Sequence, residues 1–133
     1  MTARQFLMLG EDPPGVRLEL VNGEVAVGPS PTPEHSNVVI QLVILIGVHN
    51  NERELGELHH DLDTILDRFD VRRPEVLFFF KNRAHLIGKK AMEGPPDLAV
   101  EVISRAVSRW IGKTSSRNTA TPLCVTTGSS IRN

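Results

Sequence analysis

The sequence predicts an α/β fold on three observations. Asn22-Gly23 separates two short alternating runs, Thr32-Pro33 opens a long apolar segment with a helix start, and apolar runs bounded by turn residues continue from there to Ile103. With 133 residues, 40% of them apolar, the chain can bury one core but not two.

Taken in order, Val16–Val21 and Glu24–Val27 should pair as antiparallel strands, because Asn-Gly supplies the positive φ angles of a tight hairpin turn. Thr32 offers a hydroxyl N-cap, Pro33 suits the first helical position, and Glu34 places an acid in the first turn. The helix should run to about Asn50. Its β-branched content would also suit a strand, but the run is long for one, and Val39, Leu42, Val43 and Ile46 share a helical face. Apolar residues on its other sides predict a helix buried on most of its circumference. Glu57–Leu66 and Val71–Phe80 read as strands around the turn-like Asp67-Arg-Phe-Asp70. Leu98–Ile103 reads as the last strand of the sheet, apolar enough to be central.

Composition excludes several functions. Aromatic residues make up 5%, with no Tyr and a single Trp, which argues against a stacking platform for single-stranded nucleic acid or sugars. A formal charge of -1 gives no overall basic footprint. Cys124 is alone, so neither a disulfide framework nor a cysteine-based zinc site can form within the chain, and an intracellular, cytoplasmic location is expected. The longest apolar stretch, Val38–Val48, is too short to span a bilayer, so no membrane partner is expected.

The charge is unevenly placed. Residues 1–101 hold all 16 acidic side chains, whereas 102–133 hold five basic ones and none acidic. From Ser104 onward the chain is rich in Ser and Thr and loses its apolar periodicity, as in a poorly ordered tail.

Carboxylates are the chemical candidates. Alternation along the last strand puts Leu98, Val100 and Val102 on one face and Asp97, Ala99, Glu101 and Ile103 on the other. An ionised Glu101 among apolar neighbours needs a partner, either a basic side chain or a metal. Glu75 precedes Val76–Phe80, and if its strand neighbours 98–103 the two carboxylates can share a hard divalent cation; the alternative for Glu75 is a solvated strand start. Asp97 lies roughly 13 Å along the strand from Glu101, which suits support of the strand start rather than a share in the same ion. His59 and His60 are adjacent and should point to opposite faces, so they cannot both bind one ion without a bend. His35, His49 and His85 are isolated and suit surface or boundary positions.

Arg17-Leu-Glu-Leu-Val-Asn-Gly-Glu-Val25, Val71-Arg-Arg-Pro-Glu-Val76 and Pro96-Asp-Leu-Ala-Val-Glu-Val-Ile-Ser104 together resemble the Uma-type restriction endonucleases, a branch of the PD-(D/E)XK nucleases. The family pattern runs ELxxGE, a helix beginning near a Pro and a His (here Pro33 and His35), VRxPD, then PDLxVEVxSP. The resemblance implies a restriction-endonuclease-like mixed sheet flanked by helices, and DNA as partner, with self-association compatible. It also implies a site in which Glu75 and Glu101 bind Mg²⁺ or Mn²⁺. Position 75 is Glu where the family usually has Asp. The E-x-K lysine of the superfamily would fall at Ile103, which is apolar; in this branch the resemblance implies a lysine from a following helix.

That helix is missing from the chain as written. If the gene is read two nucleotides later from Ser104, Trp110 and Ile111 force a codon GAT, Asp, and the next must be Arg or Trp. The same register permits Pro after Ser104, Lys-Tyr across Arg117–Thr119 and Asp-Tyr-Trp-Leu-Phe-Asp across Val125–Ile131. The expected organisation is an incomplete domain over 1–104, truncated at its C-terminus, followed by an out-of-frame or disordered tail over 105–133. The expected function is metal-dependent endonuclease activity impaired by loss of the helix, the alternative being a non-catalytic remnant that acts as a binding or structural protein.

Overall fold

The computed structural model describes residues 1–28 and 30–103 and the backbone of residues 123–127. A short helix α1 (Ala3–Phe6), which no sequence pattern announced, is closed by a reciprocal cap between Thr2 and Gln5. Strands β1 (Arg17–Val21) and β2 (Glu24–Gly28) form the expected hairpin, with Val21 opposite Glu24 and with φ of 51° at Asn22 and 81° at Gly23. Helix α2 (Pro33–Arg53) starts where predicted, and the Thr32 hydroxyl accepts the His35 backbone N–H at 3.2 Å.

The two runs expected as long strands each divide. Residues 56–65 form β3 (Gly56–His60) and β4 (Thr64–Ile65), and residues 71–80 form β5 (Val71–Arg72) and β6 (Val76–Phe80). Their register is continuous: Gly56 faces Phe80, His60 faces Val76, Thr64 faces Arg72 and Ile65 faces Val71. This is one hairpin bent in the middle. The turn at its tip is the predicted one, with Leu66 N–H donating to the Asp70 carbonyl at 3.0 Å. The bend falls where Pro74 can donate no ladder hydrogen bond and where Asp61 takes a left-handed φ of 52°.

Because of the bend, the hairpin serves two sheets. Its tip joins the first, ordered β2-β1-β5-β4, and its base joins the second, ordered β3-β6-β7-β8, where β7 is Leu98–Val102 and β8 is Leu123–Thr127. All strand pairs are antiparallel. The α/β expectation therefore holds, with the sheet divided in two. Strand β7 is central, as its apolar pattern required, and β8 continues the sheet beyond it. The expected tail over 105–133 takes in β8; the rest of it, residues 105–122 and 128–133, lies outside the described residues, as do residues 29 and 104.

Three apolar clusters hold these parts. Ala3 and Phe6 pack with Leu20 and Val71 under the first sheet. Val39 on α2, backed by Leu42, Val43 and Ile46, packs on Val76, Val100 and Val102 of the second. Leu77 and Phe79 meet Met92 on the opposite face. The helix is not buried on most sides: Ile40, Ile44, Leu45 and Val48 are more than half exposed. Among the described residues only one face of α2 meets the sheet, and no second layer packs on the β-branched residues of its other face. Among the described residues, no helix is long and apolar enough to cross a membrane.

Candidate functional site

The bend places Glu75 between the two sheets, beside the N-terminus of α2. Glu75 is buried, at 6% exposure, and both its oxygens are engaged. Oε2 accepts the Val102 backbone N–H at 2.6 Å, and Oε1 contacts His35 Nε2, with Arg17 Nη1 at 3.8 Å. The β6–β7 ladder ends with Val76 opposite Val100, and just beyond that pair the two sequence candidates, Glu75 and Glu101, line one concavity.

Val100 and Val102 are buried against α2, and Glu101 between them is exposed, as strand alternation requires. Although it keeps solvent-facing surface, its carboxyl is crowded enough to lose hydration, and its pKa is pushed up to about 7. Burial is the largest cause, and the charge of Glu75 comes next; Arg17 opposes both, while Glu19 and Asp61 add smaller repulsions. No ion pair holds Glu101 among the described residues.

Two concavities meet at this point. One, of about 260 Å³, is lined by Arg17, Glu19, His35, Glu75, Glu101 and Ile103. The other, of about 360 Å³, is lined by Asp12, His35, His60, Asp61, Arg73 and Glu75, and again by Arg17. The apolar Ile103 does line the cleft, so the position that would carry the strand lysine is present without a cation. Arg73 is committed elsewhere: its Nε donates to Asp63 at 2.9 Å, its Nη1 donates to Asp12 at 2.6 Å, and its backbone N–H donates to Glu19 at 2.8 Å. The hydrogen bond to Asp63 is the main cause that raises its pKa.

Asp97 stands apart from the cleft. Its carboxylate accepts the Phe80 backbone N–H and an Arg83 N–H, both at 2.9 Å, which braces the start of β7 against the end of β6. His59 contacts Glu57 while His60 lines the larger concavity, so the neighbouring histidines do diverge. His35 has the boundary position expected of it, but its contact with Glu75 was not foreseen. The available signal was its place in the first turn after Thr32, where a helix end points side chains at whatever lies before it. Arg17, Glu19 and Asp61 were missed because each sits in a run that reads as ordinary strand or loop.

Among the described residues, no group of three or more His, Cys, Asp or Glu side chains is arranged to hold a metal. Two carboxylates that line one concavity remain, with oxygen-only chemistry. That set suits Mg²⁺, which is commonly bound through one or two carboxylates, with water and substrate phosphate completing its shell. A cation there would also offset the repulsion that raises the Glu101 pKa.

No curated protein matches the chain. A family model described as "Uma2: Putative restriction endonuclease" matches residues 3–109, which takes in the hairpin, the bend and the two glutamates. The chain belongs to the Uma2 restriction endonuclease family and carries its restriction-endonuclease-like α/β fold.

Proposed function

We propose that the chain is a metal-dependent DNA endonuclease whose site is the Glu75–Glu101 cleft, working below the capacity of a chain with the following helix. The observation that supports this reading is that Glu75 and Glu101 line one concavity at the bend between the sheets, close enough for the charge of Glu75 to raise the Glu101 pKa. Glu75 and Glu101 would hold Mg²⁺ or Mn²⁺, which when bound polarises a phosphodiester and makes a water easier to deprotonate. The chain's own residues do the remaining work. The Val102 N–H holds one oxygen of Glu75 in place, and His35 holds the other until a cation competes for it. Glu101, which titrates at about 7 without a cation, is drawn to its ionised form when one binds.

Loss of function has a physical reason too. With Ile103 in the strand-lysine position, no lysine lines the cleft among the described residues to stabilise developing charge, and removal of one such group commonly costs a factor of roughly 10²–10³. The two engaged oxygens of Glu75 favour the second reading, a remnant in which this acid only ties the sheets together.

Nicking of supercoiled plasmid DNA with Mn²⁺ or Mg²⁺ separates the two, alongside calorimetry of the metal alone. Slow nicking that chelation and Glu101→Gln both abolish supports the nuclease, and a faster rate from a gene read two bases later after Ser104 supports the impairment. Absence of both metal binding and nicking, in the chain as written and in the frame-restored form, overturns the nuclease reading. A stop codon early in the shifted frame overturns the frame explanation.

A further inference from the structure

We propose that Arg17 is the phosphate-binding cation of the cleft, taking DNA phosphodiester oxygens from the hairpin side, where the residue after β7 is the apolar Ile103. The inference rests on the reading of the cleft as a phosphodiester site and assigns that site's recognition of its anion.

Arg17 opens β1, and its side chain, 23% exposed, lines both concavities, beside Glu75 and on the same wall as Glu101. Its nearest charged neighbours are Asp61 at 3.3 Å and Glu75 at 3.8 Å, and neither contact has the geometry of a hydrogen bond. Its Nε is buried and, among the described residues, is the sole buried side-chain nitrogen or oxygen without a hydrogen-bond partner. Of the other arginines near the sheets, Arg73 is spent on Asp63 and Asp12 and Arg83 on Asp97 and the Pro95 carbonyl, while Arg72, held loosely by Glu19 and Asp70 at 3.7 and 3.8 Å, lines neither concavity. A guanidinium with unspent N–H groups in a fixed fork matches the two non-bridging oxygens of a phosphodiester, which can accept two parallel bonds from it.

The electrostatics agree. Glu19, Asp61 and Glu75 would repel a phosphate from Glu101's neighbourhood, and Arg17 is the charge that opposes them there. A buried donor left unpaired is costly in a finished fold, and an anion relieves that cost only if the guanidinium turns to meet it, since Nε is out of reach of solvent as it stands. A purely structural Arg17 that only ties Asp61 to Glu75 would be expected to bond them directly, as Arg73 bonds its two aspartates.

The test is fluorescence anisotropy of a labelled DNA duplex on the full chain with EDTA present, with manganese calorimetry and thermal melts in parallel. Arg17→Met should weaken duplex binding roughly tenfold and Arg17→Lys by less, since lysine keeps the charge without the fork. Manganese binding at the glutamates should persist in both. If either folded variant binds the duplex as tightly as the parent chain, the assignment of Arg17 is overturned while the metal site stands. If the parent chain binds manganese but no duplex, the assignment of Arg17 falls, and plasmid nicking decides the nuclease reading separately. Should Arg17→Met not fold, Arg17→Lys decides: affinity equal to that of the parent overturns the assignment, and a clear loss with an unchanged melt supports it.

Discussion

The Glu75 carboxylate accepts the backbone N–H of Val102 at 2.6 Å, which ties the acid at the bend of one hairpin to the residue that follows Glu101 on the neighbouring strand. This bond gives the Val102 N–H a side-chain acceptor just beyond Val76 and Val100, the last backbone pair of the ladder. It makes Glu75 a fastening between β6 and β7 as well as a candidate ligand.

The two roles separate by substitution. Glu75→Gln keeps an oxygen for the Val102 N–H, whereas Glu75→Ala leaves that buried donor unpaired, at a cost of about 1–3 kcal/mol. Urea midpoints should therefore fall further for the alanine variant than for the glutamine one, while manganese binding should be lost in both. Equal destabilisation by the two would show that the Val102 bond contributes nothing.

Glu101 should make stability depend on pH. Its carboxyl titrates at about 7 folded against 4.5 unfolded, so between these values the folded state binds more protons and stability falls as pH rises. The contribution is complete below 4.5 and gone above about 7. Glu101→Gln removes the ionisation and should raise the melting temperature in mildly alkaline buffer. Discounted for solvent screening of a partly exposed group, the gain is about 1 kcal/mol, or roughly 4 °C. Below pH 4.5 the two proteins should melt alike; parallel melting curves at every pH would refute the shift.

Gly56 is held by contact rather than by its backbone angles. A Cβ there would lie 2.0 Å from the Phe79 carbonyl oxygen, and the strand cannot retreat because Asn50 binds Gly56 twice, through N–H and carbonyl, each at 3.0 Å. Gly56→Ala should destabilise by about 3 kcal/mol or more, as overpacking against backbone does. Asn50→Ala, which only unpairs the two backbone groups, should cost about 2 kcal/mol. Guanidinium unfolding of both variants checks the order.

Local chemistry alone made some of the structure readable. Asn22-Gly23 determined a turn because its positive φ angles are inexpensive for those residues, and Thr32-Pro33 determined a helix start through a cap and a preset φ. Alternation put Glu101 opposite Val100 and Val102 in direction, and the quoted motifs indicated the family. Each of these depends on residues within a few positions of one another.

Tertiary structure decided the rest. The bend at Asp61 and Pro74 turned two apparent long strands into a hairpin shared by two sheets, since a strand reads the same whether or not its far half changes partners. Helix α2 left an apolar face exposed because burial depends on how many layers are built, which periodicity along one segment does not encode. The convergence of Arg17, His35 and Glu75 joins residues far apart in the chain, and only folding brings their charges within range of one another.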